Sequence, residues 1–274
     1  MCSSDLRPPA LFVKGHLPAD RLAAAVVGTR GASPEGLECA GEISTALVNA
    51  AIAVVSGLAI GIDTRAHSAA IQGGGRTVAV LGTGVDVIYP KENSRLADQI
   101  LGLGGALISE FPLATFAAPQ NFPIRNRIIS GMSVGLLVVE GAQYSRSAIT
   151  ARLALDQGRE VFAVPGNITS KISWGPNLLI KQGAKLVQDW NDVVVDLPPE
   201  VRRNLIESGK NRLLAQGLSG GDATSEGAQA SLIGSRGMSH AGCWQSRARR
   251  QYTPRRAGRD PGRCFSLRTD RRPI

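Results

Sequence analysis

A chain of 274 residues, 43% of them hydrophobic, buries one sizeable core with room for a small appendage, so one main domain is expected. The formal charge of +9 does not mark a polyanion-binding fold: residues 242–274 alone hold ten Arg against two Asp, whereas residues 1–200 carry 16 bases and 17 acids. Cys2, Cys39, Cys243 and Cys264 form no CxxC pair and His16, His67 and His240 are as scattered, which excludes a zinc site or disulfide framework; with no basic-then-apolar leader and no apolar run of about 18 residues, a cytoplasmic protein without a membrane span is expected.

Residues 1–20 read as a lead-in. From there short apolar runs alternate with stretches of helical period. Strands are predicted at 23–27, 53–56, 77–81, 106–109, 135–139, 160–164 and 185–187, rich in Val, Ile and Ala and without polar alternation, as in strands covered on both faces. Helices are predicted at 34–51, 63–72, 93–102, 127–133, 147–157 and 176–182; in the first, Leu37, Ala40, Ile43, Leu47 and Val48 form one apolar stripe. This alternation predicts an α/β fold over residues 21–198, a doubly wound, mostly parallel sheet that binds ligands at its carboxyl edge. Residues 199–274 read as a linker and basic tail: 217–241 are rich in Gly, Ser and Ala, and 242–274 have Arg as their only base and few large apolar side chains. Too little apolar surface can be buried there to offset chain entropy, so disorder is expected.

The turns after the strands carry the chemistry. In "VVGTRGAS" (26–33), Gly28 lets the chain turn close to a ligand, backbone amides face outward, and Arg30 offers a permanent charge suited either to phosphate or to an ion pair with a neighbouring carboxylate. A dinucleotide site would have GxGxxG here and an acid at the end of the second strand; the first is absent and that strand ends in Ser56. "SGLAIGID" (56–63) repeats the design, with Ser56 and Gly57 aimed at the crevice or Gly57 required for packing; Asp63 reads as a helix cap, His67 as a packed core histidine, and Tyr89 of "GTGVDVIYPKEN" as packing before stacking.

"FPIRNRIISG" (122–131) puts Arg125 and Arg127 either side of Asn126. On an extended lead-in both cations share a side, at the start of a helix whose dipole they oppose, an arrangement that makes sense if an anion arrives between them; one Arg is also open to pairing with Glu110 or Glu140. In "VVEGAQYSRSAITA" (138–151), Ser145, Ser147 and Thr150 either bind phosphate or cap a helix, with Ser147 the expected cap. Lys171 lies on a loop in "VPGNITSKISWGPNLLIKQGA" (164–184). No Ser-His-Asp order, paired acids, metal set or Walker loop is present, so catalysis has no visible machinery and no cofactor is expected.

In order along the chain, "VGTR", "SGLAIGIDTRAH", "GTGVDVIYPKEN", "SEFP", "NFPIRNRIISGMS", "SAITARLALDQGREVFAVPG" and "SWGPNLLIKQGA" resemble the DNA-processing protein A family, DprA or Smf, from about residue 8 to 198. The resemblance implies an extended Rossmann domain, non-enzymatic, that binds single-stranded DNA in a basic pocket, protects incoming strands in natural transformation, helps load the RecA recombinase and forms homodimers. It places strand contacts at Gly28, Thr29, Arg30, Ser56, Gly57, Arg125, Asn126 and Arg127, with Lys171 a weaker addition. Arg146 and Ala148 stand where the family usually has Gly and Leu, and neither the helical domain often found before the core nor the winged-helix domain often found after it is legible. Two other classes compete: a Rossmann-like phosphoribohydrolase resembling the lysine-decarboxylase-like family, whose PGGxGT loop is here "PGNITSKISWG", and a dinucleotide oxidoreductase.

Overall fold

The computed structural model describes residues 7–17, 22–143, 145–195, 197, 199 and 202–203. The chain divides into two units, Met1–Gly221 and Asp222–Ile274, and every described residue lies in the first. The expected tail thus lies almost wholly outside the described residues.

Strands β2 (Ala23–Val27), β3 (Ala53–Ser56), β4 (Thr77–Val80), β5 (Ala106–Ser109), β6 (Gly135–Val138), β7 (Glu160–Ala163) and β8 (Lys185–Leu186) run parallel, and β1 (Phe12–Gly15) pairs antiparallel with β5 at one edge. The order is β1-β5-β4-β3-β2-β6-β7-β8. β1 corrects the expected boundary at residue 21: the sheet begins within the lead-in. Its four residues are all exposed, and an exposed edge strand lacks the continuous apolar run by which the inner strands are recognised.

Helices α1 (Pro34–Asn49), α2 (Ile62–Gln72), α3 (Ser94–Gly102), α4 (Asn121–Gly131), α5 (Arg146–Asp156), α6 (Trp174–Lys181) and α7 (Trp190–Val195) cover the two faces. α1, α2 and α7 pack on the side chains of Ala24, Val26 and Val54, with α3 beside them over Ala79 and Leu107; α4, α5 and α6 pack on Ala25, Val27, Val55, Leu136 and Val138. Alternate residues of one strand feed opposite layers, which is why these strands read as unbroken apolar runs.

Local chemistry sets the helix starts. Ser33 caps α1, its hydroxyl accepting from the Gly36 amide at 3.0 Å with Pro34 in the first turn. Ser145 caps α5, accepting from the Ala148 amide at 3.4 Å. The expected cap, Ser147, instead sits one place inside the helix, its hydroxyl 2.7 Å from that of Ser145.

The connection that matters most runs from β5 to β6. Those strands lie four places apart with β4, β3 and β2 between them, so the connection must cross the sheet, and the first half of α4 comes to line the point where the strand order reverses between β2 and β6. Open parallel sheets leave a crevice at such a reversal. α4 begins at Asn121, six residues before the expected start, because Pro123 falls in the first turn, where a missing amide costs nothing.

Candidate nucleic-acid interface

Above the reversal lies a cleft of about 360 Å³, lined by the turn after β2 (Val27, Gly28, Thr29, Arg30), by Phe122, Arg125 and Asn126 of α4, and by Ser145, Arg146 and Ser147 at the head of α5. An adjoining indentation of about 50 Å³ is formed by Arg30, Gly57, Ile60, Tyr89, Phe122 and Arg125.

Phe122 is the hub. The guanidinium carbons of Arg30, Arg125 and Arg146 lie 6.0, 5.9 and 5.4 Å from its ring centre, and Tyr89 tilts against it at 5.6 Å between centroids. A π face attracts each cation, but the three also repel one another. Among the described residues neither Arg30 nor Arg146 forms an ion pair, and both are exposed.

Arg125 holds the floor. Buried in the turns, it donates from Nη1 to the Gly57 carbonyl at 2.9 Å and to the Val80 carbonyl, and a Cβ on Gly57 would stand 2.7 Å from its Nη2. That close approach is why residue 57 is glycine. Among the described residues its Nε has no hydrogen-bond partner. Burial brings the guanidinium down to about 10, with Asp63 opposing and Arg30 and Arg146 adding to the fall, so it stays protonated at neutral pH. Asp63, in the first turn of α2, accepts from the Gly57 and Ala59 amides at 3.2 and 3.4 Å; burial pushes its carboxyl up while Arg125 pulls it down. It braces a turn instead of capping its own helix, whose N-cap is Gly61.

His67 is the core residue expected. It is wholly buried, with Nδ1 2.7 Å from the Thr77 hydroxyl, which itself donates to the Val54 carbonyl at 2.7 Å; the ring therefore carries its proton on Nδ1.

Of the expected contacts, Gly28, Thr29, Arg30, Arg125 and Asn126 line the cleft and Gly57 lines the indentation. Gly28 is also demanded by packing, since a Cβ there would lie 2.5 Å from the Ile62 side chain. Three others do not converge there. Ser56 is fully buried and spends its hydroxyl on the Val26 carbonyl at 2.6 Å. Arg127 points away and binds Glu110 at 2.5 Å. Lys171 stands on the exposed loop before α6, outside the cleft lining.

The Arg127 correction has a simple cause. An extended segment puts residues i and i+2 on one side, but a helix turns about 100° per residue, so Arg125 and Arg127 are about 200° apart. One faces the sheet and the other Glu110. Both arginines also sit in the middle of α4, so the argument that they oppose a helix start falls away. Arg127→Ala is accordingly expected to lower stability by about 1–3 kcal/mol, because the pair is mostly buried, with side chains 10% and 19% exposed, and Glu110 is left without its countercharge, and to leave the salt dependence of anion binding unchanged; urea unfolding and a salt titration check both.

Sequence reading missed Arg146 and Phe122. The signal was there: strand-order reversal places the turn after β6 beside the turn after β2, which brings Arg146 opposite Arg30.

Residues 2–198 match the family described as DNA recombination-mediator protein A. The chain belongs to that family. It is 50% identical over 191 residues to protein Smf of Escherichia coli, a match covering 69% of this chain and 51% of that protein. Among solved structures, DNA processing protein A (DprA) from Streptococcus pneumoniae superposes with a TM-score of 0.65 at 43% identity, covering 69% of this chain and 66% of that one. DNA processing protein A from Helicobacter pylori, described for its single-stranded DNA binding mode, shares the fold at a TM-score of 0.64 and 24% identity, covering 71% of this chain and 91% of that one. The chain thus spans about half the length of the E. coli protein it matches. Among the described residues no helix is long and apolar enough to cross a membrane.

Proposed function

We propose that the cleft holds the sugar-phosphate chain of single-stranded DNA, and that the protein acts in homologous recombination and natural transformation by protecting strands and helping load the RecA recombinase. The observation that carries this is the convergence of Arg30, Arg125 and Arg146 around Phe122. Like charges gathered in one cleft repel until an anion arrives, and a phosphate chain supplies several at a fixed spacing. The Gly28–Thr29 turn, the Asn126 side chain and the positive end of α5 extend the same rim, and the Tyr89–Phe122 pair offers bases an apolar face. Family membership supports the same reading. Homodimerisation and a cytoplasmic location belong to the proposal on the strength of the family resemblance.

Binding without turnover is also part of it. The carboxylate at the cleft, Asp63, is committed to the Gly57 and Ala59 amides and so offers no free base. The phosphoribohydrolase reading is not favoured, for want of such a group.

Titrating labelled oligo-dT in rising salt tests the proposal. On a single strand, each phosphate left without its arginine lowers the slope of log affinity against log salt by about 0.7, so Arg30→Ala with Arg146→Ala is expected to reduce it by about 1.4. Both side chains are exposed, so the fold is expected to survive. An unchanged slope excludes phosphate binding by these two residues, and release of free base from nucleoside monophosphates in a parallel assay supports the hydrolase instead.

A further inference from the structure

In open parallel sheets the amides at the head of the first strand-turn-helix unit are the usual seat for a nucleotide's phosphates. Here that seat, at the head of α1, is filled from within. Glu140, which follows β6, accepts from the Ser33 amide at 3.0 Å through Oε2 and from the Ser33 hydroxyl at 2.6 Å through Oε1. It is 8% exposed, and its carboxylate lies so close to Gly36 that a Cβ at 36 would collide with the carboxylate carbon. A glycine that admits an anionic group onto the first turn of a helix is the feature nucleotide-binding folds use for pyrophosphate; here the group it admits is the protein's own. Neither Ser33 nor Glu140 lines the arginine cleft.

We infer that Glu140 is a specificity-determining residue: its carboxylate takes the phosphate position at the head of α1, closes the site to mono- and dinucleotides, and leaves the arginine rim across the β2–β6 reversal as the anion site. This rests on reading that rim as the strand site. Like-charge repulsion at contact distance, added to loss of the amide and hydroxyl donors, excludes a diphosphate from α1 while the carboxylate is present. The inference also accounts for the missing dinucleotide fingerprint: the fold is kept and its nucleotide seat is plugged.

The test uses the whole chain and ADP as probe, followed by calorimetry. Glu140→Ala empties the seat and removes the charge, and is expected to bind ADP at least about tenfold more tightly than the unaltered protein, whereas Glu140→Gln, which keeps the side-chain volume over Ser33 and Gly36, is expected to gain less. Adding Ser33→Ala is expected to reverse the gain, while affinity for oligo-dT changes less than about threefold. Glu140→Ser is the second variant that empties the seat and decides if Glu140→Ala does not fold. ADP affinity within twofold of the unaltered protein in every folded variant overturns the inference and leaves Glu140 a helix cap; so does a gain that persists without Ser33, which places ADP elsewhere. Failure of the unaltered protein to bind oligo-dT sinks the strand-binding proposal instead, and the ADP comparison still reads.

Discussion

Replacing Arg125 with methionine is expected to lower folding stability by about 3 kcal/mol, the sum of two buried carbonyls left without donors at about 1–3 kcal/mol each, less the relief of no longer burying a cation. The carbonyls are those of Gly57 and Val80, at the ends of β3 and β4, so the loss falls on the turns that shape the cleft. Methionine keeps the apolar stem packed, which confines the effect to the guanidinium. Urea unfolding reads it as a lowered midpoint at unchanged slope. Arg125→Met also leaves the Asp63 carboxylate buried without its countercharge; adding Asp63→Asn is expected to recover part of the loss, because removing both partners costs less than stranding one. A loss under about 1 kcal/mol for the single variant would show that water satisfies those carbonyls and that Arg125 is there for the ligand alone.

Stability is expected to fall steeply with acid because of His67. Burial, with Arg125 contributing, brings its imidazole from the ordinary 6.5 down to about 3. The unfolded chain therefore takes up a proton on this ring at pH values where the folded chain does not. Its contribution is fully present above about pH 6.5 and is lost as pH falls toward about 3, at about 1.4 kcal/mol per pH unit for one proton. Asp63 acts in the opposite direction: its folded value is raised above 3.8, so it favours the folded state as pH falls toward that value. Comparison with His67→Gln separates the two, since the variant keeps a donor for the Thr77 hydroxyl and loses only the titration. The stability difference between the two proteins is expected to shrink by about 1.4 kcal/mol per unit between pH 6 and 4. Parallel curves would mean that the ring is protonated in the folded state, or that acid opens the core around it first.

Much of this fold is legible in the sequence because its determinants are local. Seven runs of Val, Ile and Ala, separated by stretches of helical period, mark seven of the eight strands to within a residue, and alternation alone implies a parallel sheet. Ser33 before Pro34 announces α1 for the same reason: a cap acts within one turn of itself. β1 escapes because an exposed edge strand has no burial to advertise, and the Trp190–Val195 helix because six residues are too few for a periodic stripe.

The site divides along the same line. The sequence by itself determined which turns meet at the carboxyl edge and that they carry arginine and glycine, and its ordered motifs place the chain in its family. Tertiary structure alone decided which cations share a space. The six-residue difference in where α4 begins turned Arg125 into the sheet and Arg127 toward Glu110, and strand-order reversal brought Arg146 to Arg30 across more than a hundred residues of chain. It also closed the head of α1 with Glu140, 107 residues from Ser33. Residue type and strand position are encoded within a few neighbours, whereas the direction of a side chain depends on helix phase and on the crossover that carries it, both set by the packed sheet.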